Sequence, residues 1–110
     1  MTLSDLRESA GRAAEFLRLL ANENRLAILC LLGKAEHSVG DLAAELGTSQ
    51  PNVSQHLAKL RALELVSTRR DGTTILYALR DRDAAAIIAV LYRRYCEPVA
   101  KTGSKRRKAA

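Results

Sequence analysis

The sequence predicts a mainly α-helical fold with one small β-hairpin, in the element order of a winged helix-turn-helix. Apolar residues recur at helical spacing through the first half of the chain and again near its end. Between these regions the apolar period changes to two around Asp71-Gly72, a dipeptide typical of tight hairpin turns. With 110 residues, 47% of them hydrophobic, the chain is long enough for one compact domain.

The first predicted helix covers residues 3–20. Its apolar side chains follow the a and d positions of a heptad: Leu3, Leu6, Ala10, Ala13, Leu17 and Leu20. A seam this narrow suits packing against a single partner helix. We favour packing across a homodimer, and the alternative is that the helix folds back on its own domain.

The second predicted helix, residues 24–32, is apolar on nearly every side and should be the central buried helix. Asn22 is expected to cap its start and Gly33 to end it. Cys30 lies inside this helix, where a free cysteine most often fills space in the core.

The next two helices are predicted to form a helix-turn-helix. Ser38 and Asp41 have the spacing of a capping box at the start of residues 39–46, and Gly47-Thr48 provides the turn. The second helix, residues 49–61, has Ser49 as its N-cap and Pro51 in its first turn.

This second helix, which we call the recognition helix, has two different faces. Val53, Leu57 and Leu60 point inward. The outward side chains are polar or basic: Gln50, Asn52, Gln55, His56 and Lys59. No acidic residue occurs from Ser49 to Arg61. Such a face suits phosphates and base edges, although an ordinary solvated polar face is the alternative.

The hairpin is predicted to pair residues 66–70 with residues 73–79, with Asp71-Gly72 at its tip. Ile75, Tyr77 and Leu79 should form its inner face. Arg69 and Arg70 lie close to the tip, where they can reach phosphates or a minor groove. The alternative is two solvated arginines.

The last predicted helix starts at Asp81 or Asp83 and ends near Cys96, with Pro98 stopping it. Its apolar residues are Ala84, Ile87, Ile88, Leu91, Tyr92 and Tyr95. Together with the first helix it is expected to form a two-fold homodimer interface, and a two-fold protein reads a palindromic site.

The charge distribution divides the chain into residues 1–97, the expected DNA-binding and dimerisation domain, and residues 98–110, a basic tail expected to be disordered. Five of the 18 basic residues lie between Lys101 and Lys108, so residues 1–100 carry 13 basic and 12 acidic side chains. The net charge of +6 is therefore weak evidence for DNA binding by the domain itself. The tail either contributes to DNA affinity or is a solvated end without consequence.

Several classes of protein are disfavoured. No apolar run reaches the length of a membrane span and no signal-peptide core is present, so we expect a cytoplasmic protein without membrane contact. No phosphate-binding loop and no nucleophile with a nearby base occur, so we expect no enzyme and no cofactor.

Three stretches resemble the bacterial arsenical-resistance-repressor (ArsR) family. They are residues 19–29, residues 49–57, and Arg69-Arg70-Asp71-Gly72 followed by Tyr77-Ala78-Leu79. The resemblance implies a bacterial, nucleoid-associated homodimeric repressor of double-stranded operator DNA. It assigns DNA reading to Gln50, Asn52, Ser54, Gln55 and His56, phosphate contacts to Lys59 and Arg61, and wing contacts to Arg69 and Arg70.

The sequence departs from the metal-sensing members of that family. The helix before the recognition helix lacks their Cys-x-Cys, and no histidine follows Tyr77, so no metal site is expected. Cys30 and Cys96 instead resemble the cysteines of a two-cysteine subgroup, which includes biofilm-growth-associated and sulfide-responsive repressors. That likeness implies a disulfide or polysulfide bridge formed by reactive sulfur or another oxidant.

The sequence thus predicts a dimeric repressor that is released from a palindromic operator when Cys30 and Cys96 become linked. Two alternatives remain. One is a repressor of the same family whose cysteines only fill space, and the other is a winged helix that binds another protein.

Overall fold

The computed structural model describes residues 1–96. Within them lie five α-helices and one two-stranded antiparallel sheet, as the sequence predicts. The elements are α1 (Leu3–Leu20), α2 (Glu23–Lys34), α3 (Val39–Leu46), α4 (Gln50–Ala62), β1 (Val66–Asp71), β2 (Thr74–Leu79) and α5 (Arg82–Tyr95). The basic tail and the predicted stop at Pro98 lie outside the described residues.

Helix α2 is the centre of the domain, as predicted. It contacts α1, α3, α4, α5 and β2. Ile28 and Leu29, in its middle, are completely buried. The buried residues found within 1–96 are all hydrophobic, so the core is held by apolar burial.

The predicted end of α2 at Gly33 is wrong. The helix continues through Gly33 to Lys34, with Ala35 as C-cap donating its N–H to the carbonyl of Leu31. A glycine ends a helix most readily with a positive φ, and Gly33 is not among the glycines with one. A Cβ at this position would lie 3.7 Å from Leu79 Cδ2, so Gly33 is placed where α2 meets β2.

The predicted N-caps of three helices are confirmed, and Asp81 proves to be the start of α5. Asn22, Ser38, Ser49 and Asp81 each accept a backbone N–H three residues later, at 2.9–3.2 Å. For Ser38 and Asp41 only this half of the predicted capping box is formed. The complete, reciprocal box occurs instead at Thr2 and Asp5, at the start of α1.

Helices α3 and α4 form the predicted helix-turn-helix. Gly47 ends α3 in the left-handed region with a φ of +64°, which a glycine adopts without a Cβ clash. Val53, Leu57 and Leu60 are at most 1% exposed, so the inward face of α4 is confirmed.

The hairpin turn lies one residue later than predicted. Asp71 belongs to β1 and pairs with Thr74, which leaves Gly72 and Thr73 as the two-residue loop. Gly72 has a φ of +66°, so the glycine takes the first loop position, where a type II′ turn requires positive φ. With Asp71-Gly72 as the loop, as predicted, the glycine would have taken the second position.

The inner face of the hairpin is shorter than predicted. Tyr77 and Leu79 pack against the core, but Ile75 is 37% exposed, because it lies near the tip and beyond the body of the domain. An isolated antiparallel bridge joins Tyr77 to His37, with N–H to carbonyl distances of 2.8 and 3.1 Å. This bridge ties the base of the hairpin to the segment between α2 and α3.

Helix α1 packs on the domain only near its C-terminal end. Phe16, Leu19 and Leu20 contact the core, whereas Leu3 and Leu6 are 66% and 51% exposed. The alternative that α1 folds back on its own domain therefore holds for its last turns only. Within residues 1–96, no helix has the length and apolarity needed to cross a membrane.

Candidate functional site

The outer edge of α4 combines exposed polar and basic side chains. Gln50, Ser54, Gln55, Lys59 and Arg61 are exposed. Asn52 is half-buried, and its Nδ2 donates to Thr48 Oγ1 at 3.0 Å. The first turn of α4 contains no acidic residue, and its last turn carries Lys59 and Arg61. This edge can donate hydrogen bonds and attract anions along its whole length.

Gln50 is held beside the start of α3. Its Nε2 lies 3.6 Å from the position that a Cβ at Gly40 would occupy, which is an ordinary van der Waals distance, so the Gln50 side chain packs beside Gly40. Since α3 begins just after its N-cap Ser38, Gln50 stands where the two helices of the helix-turn-helix approach each other.

The hairpin wing stands beside one edge of α4. A shallow cleft between them is lined by Ser54, Leu57 and Arg61 from α4 and by Tyr77 from β2. The structure thus brings part of the predicted reading helix and the wing side by side, which the sequence could suggest only through the order of the elements.

The two wing arginines differ in their surroundings. Arg69 forms a two-point ion pair with Glu36, with Nε to Oε2 at 2.8 Å and Nη2 to Oε1 at 2.7 Å. The hydrogen bonds from Arg69 lower the pKa of the Glu36 carboxyl. Arg70 is exposed, and no ion pair involves it among the described residues. No motif or spacing in the sequence indicates that Glu36 holds Arg69.

His56 does not lie with the exposed residues of α4. Its ring is half-buried, and Nδ1 lies 3.4 Å from Nη1 of Arg25 in α2. Burial lowers the pKa of His56, and the positive charges of Arg25 and Lys59 lower it further. Arg25 also donates to the carbonyls of Leu19 and Arg18. Sequence reasoning assigned Arg25 no role, although a lone arginine in the first turn of an otherwise apolar helix was a usable signal.

Cys30 and Cys96 are both free thiols in this structure. Cys30 is half-buried in α2, whereas Cys96 is exposed at the C-cap of α5. Burial raises the pKa of Cys30, the negative charge of a Cys96 thiolate raises it further, and Lys34 opposes both.

A groove of about 490 Å³ runs between α2 and α5, and Cys30 lines it. On the α5 side the lining includes Ala85, Ala89 and Tyr92. Cys96 follows Tyr92 by four residues, so the helical repeat places it on the same face of α5. Lys34 Nζ sits 4.7 Å from the ring centroid of Tyr92, and both residues line the groove.

The described residues contain no group of three or more histidine, cysteine, aspartate or glutamate side chains that is able to hold a metal ion.

Comparison with known proteins connects this architecture to regulators of transcription. Residues 22–68 match the family model described as bacterial regulatory protein, arsR family. The transcriptional activator HlyU of Vibrio cholerae is 42% identical over 97 residues, which cover 88% of this chain and 90% of that protein. The biofilm growth-associated repressor of Xylella fastidiosa is 38% identical over 96 residues, covering 87% of this chain and 84% of the repressor.

Solved structures show the same likeness. Reduced HlyU from Vibrio cholerae superposes with a TM-score of 0.81 at 42% identity, covering 86% of this chain and all of that one. A homodimeric winged helix-turn-helix DNA-binding domain from Mycobacterium bovis, described as a possible ArsR-family regulator, gives a TM-score of 0.69 at 32% identity. That match covers 80% of this chain and 83% of the other. The winged helix-turn-helix predicted from the sequence is confirmed.

Proposed function

Because this chain belongs to the ArsR family of bacterial transcriptional regulators, we propose that it is a dimeric repressor whose hold on a palindromic operator is released by linking Cys30 to Cys96. The observation that carries DNA binding is the acid-free, exposed polar edge of α4. Regulators with this architecture place such a helix in the major groove.

Base reading is assigned to the N-terminal half of α4. Gln50, Asn52, Ser54 and Gln55 carry hydrogen-bonding groups, and glutamine or asparagine can make paired bonds to an adenine edge. Each good pair discriminates against a wrong base by roughly 1–3 kcal/mol. Lys59, Arg61 and Arg70 are assigned to phosphates. Arg69 also contacts a phosphate if the phosphate displaces Glu36 from the Arg69 guanidinium.

The dimer is assigned to α1 and α5. The apolar seam of α1 is left exposed at Leu3, Leu6 and Leu17, and Val90 of α5 is 50% exposed. Exposed apolar residues at regular spacing are a ready contact for a second copy. The Mycobacterium bovis domain is described as homodimeric, which supports a dimer for this chain. Two-fold symmetry then sets two half-sites about 34–36 Å apart.

The thiol switch is supported by the placement of the two cysteines. Cys30 lines the groove between α2 and α5, and Cys96, the C-cap of α5, follows the groove-lining Tyr92 by four residues. We assign the attack to the exposed Cys96 and the second, resolving step to Cys30, whose raised pKa makes it the slower nucleophile. One similar structure is described as reduced HlyU, so a reduced form is distinguished in that relative.

The chemistry of the bridge needs an oxidant with sulfur–sulfur or oxygen–oxygen bonds. For a disulfide, the two thiols lose two protons, and the two electrons pass to the oxidant as its bond breaks. For a polysulfide bridge, the Cys96 thiolate first attacks the reagent, which forms one S–S bond to the protein and breaks one S–S bond of the reagent. The Cys30 thiolate then attacks the sulfur chain bound to Cys96, which forms the second S–S bond to the protein and breaks one S–S bond of that chain. In each step a shortened sulfide anion leaves with the electron pair.

A bridge would restrict α5 relative to α2, and α2 contacts the recognition helix directly. Helix α5 is part of the proposed dimer interface. If α5 moved, the distance between the two recognition helices of the dimer would therefore change. DNA affinity would then fall without a change in any DNA-contacting side chain.

The test is fluorescence anisotropy on DNA from upstream of the protein's own gene, at one salt concentration, against a shuffled duplex. We expect tight selective binding by the reduced protein, loss of binding after polysulfide treatment, and recovery with reductant. Cys30→Ser and Cys96→Ser should each bind DNA and fail to respond. A normal response by either variant would rule out the paired-thiol mechanism, and the absence of selective binding would favour a protein-interaction module.

A second regulatory outcome is favoured by one comparison. The Vibrio cholerae relative is named a transcriptional activator, so activation of transcription is the alternative outcome for this chain. Transcription in vitro from the bound promoter separates the two outcomes: added reduced protein lowers transcript yield if this chain is a repressor and raises it if the chain is an activator.

A further inference from the structure

A single side chain connects the end of α1 with the recognition helix. Arg25, in the first turn of α2, contacts the carbonyls of Arg18 and Leu19 and the ring of His56. We propose that Arg25 and His56 act as positioning residues, which fix the recognition helix relative to the helix that forms the dimer. This inference rests on the proposed role of α4 in DNA binding.

The contact with α1 satisfies carbonyl groups that the helix leaves unpaired. The last four carbonyls of a helix lack partners within it. In α1, Leu17 accepts the N–H of Ala21, and Leu20 accepts the N–H of Asn22. The carbonyls of Arg18 and Leu19 receive Nη2 and Nε of Arg25 instead. Arg25 therefore caps α1 and holds its end against α2.

The contact with His56 requires a neutral imidazole. A guanidinium group can only donate hydrogen bonds, so Nδ1 of His56 must be the acceptor and the ring proton must sit on Nε2. Protonation would remove the acceptor and place two positive groups 3.4 Å apart. Two charged groups act on this ring, Arg25 from α2 and Lys59 from the next turn of α4, and both oppose protonation.

The planar fork of arginine suits this position. Three of its nitrogens donate to three acceptors on two different helices. The single ammonium group of a lysine could not reach all three acceptors. Because α1 carries the proposed dimer seam, Arg25 would help to set how far apart the two recognition helices stand. Its loss should therefore reduce binding to the operator more than binding to unrelated DNA.

The first test reads the contact in the protein without DNA. His56 is titrated by NMR in the wild type and in Arg25→Gln. We expect its pKa to lie below the ordinary value of 6.5 in the wild type and to move upward in the variant. An unchanged titration of His56 in a folded Arg25→Gln protein would overturn the proposal.

The second test follows operator binding as a function of pH. We expect wild-type affinity to fall as the pH drops through the lowered pKa of His56, because the protonated ring no longer accepts from Arg25. Arg25→Gln and Arg25→Lys should each weaken operator binding by about tenfold near neutral pH, the effect of losing one charge-assisted hydrogen bond. His56→Asn, whose side-chain oxygen can replace Nδ1 but does not titrate, should remove the pH dependence. His37→Asn is the matched control, and its operator binding should depend on pH as in the wild type.

The opposite result has a definite meaning. If operator affinity rises as the pH falls and His56→Asn removes that rise, His56 contacts DNA phosphate directly and the positioning role is wrong. If the wild type does not distinguish the operator from shuffled DNA at any pH, the proposed function itself fails. The NMR titration, which needs no DNA, then still reports whether Arg25 and His56 interact.

Discussion

At the scale of single residues, the polar side chains of this protein fall into two groups. The caps Asn22, Ser38 and Ser49 bond within their own helix, three residues away, and their sequence spacing was enough to predict them. Arg25 and Arg69 instead meet His56 and Glu36, which lie 31 and 33 residues away in the chain. Such pairs depend on how helices and strands pack, so the residues proposed to contact DNA and the residues that hold one another look alike in the sequence.

The ion pair between Glu36 and Arg69 should give stability that depends on pH. Arg69 lowers the pKa of the Glu36 carboxyl in the folded protein. The contribution is therefore fully present above the ordinary value of 4.5 and is lost as the pH falls through the lowered pKa. Urea unfolding of the wild type, Glu36→Gln, Arg69→Gln and the double variant should show a coupling at about pH 6 that weakens as the pH falls below 4.5. Coupling that persists at acid pH would contradict this assignment.

Two glycines should respond to alanine in opposite ways. Gly47 ends α3 with a φ of +64°, and although a Cβ there would meet no atom within 4 Å, the backbone conformation itself disfavours a side chain. We expect Gly47→Ala to destabilise the protein by about 1 kcal/mol. Gly11 lies inside α1 with open space around it, so Gly11→Ala should stabilise by roughly 0.5–1 kcal/mol. Urea unfolding at one fixed protein concentration measures both, and equal signs would contradict this expectation.

At the scale of elements, α1 shows that apolar periodicity predicts where a helix lies but not what it packs against. The heptad spacing predicts the helix over residues 3–20, and the structure confirms those bounds. The same spacing leaves open whether the seam packs within the domain or across a dimer. In the structure Leu20 is buried and Leu17 is 54% exposed. The C-terminal end of the seam therefore packs in the core of the domain, and the rest of the seam is exposed for a partner helix.

A charge placed in the exposed part of this seam should separate the proposed dimer. Leu6 is 51% exposed and lies between Leu3 and Ala10 on the seam, so Leu6→Glu would bury a carboxylate in the interface. Analytical ultracentrifugation should show a dimer for the wild type and a folded monomer for the variant. The matched control is Ser4→Glu, which adds the same charge outside the seam of α1 and should stay dimeric. A dimeric Leu6→Glu protein would place the interface elsewhere.

At the scale of the whole molecule, helix α2 connects all the proposed activities. It contacts α1 and α5, which carry the proposed dimer, and α4, which carries the proposed DNA contacts. It also holds Cys30 on the groove and Arg25 beside His56. A change in how α5 sits on α2 is therefore one packing step away from the recognition helix.

The domain is expected to function without residues 98–110. The core and the proposed reading face both lie within residues 1–96, and the basic tail has no apolar run that could add to that core. A chain ending at Glu97 should keep its unfolding midpoint and its operator affinity, and the slope of log affinity against log salt should change by less than about one. A much smaller slope in the shortened protein would show that the tail contacts phosphates.

What the sequence by itself determined is the part of the protein governed by local rules. Apolar spacing, caps and turn residues predicted the five helices of residues 1–96 and the inward face of α4, and side-chain oxygens at helix starts predicted the caps Asn22, Ser38 and Ser49 but not Thr2. The family resemblance was equally local, since it rests on short motifs. Gly33 and the Asp-Gly turn show the limit, because a glycine permits an ending or a turn and packing decides where it occurs.

Only the tertiary structure decided which polar side chains are paired within the domain and which are exposed for contact with DNA. It turned His56 toward Arg25, paired Arg69 with Glu36, exposed Ile75 at the wing tip and placed Cys30 on the groove beside α5. These contacts join residues that are far apart in the chain, and their geometry depends on the angles at which whole helices and strands pack. Periodicity reports which face of an element is buried, but it does not report which element will lie against that face.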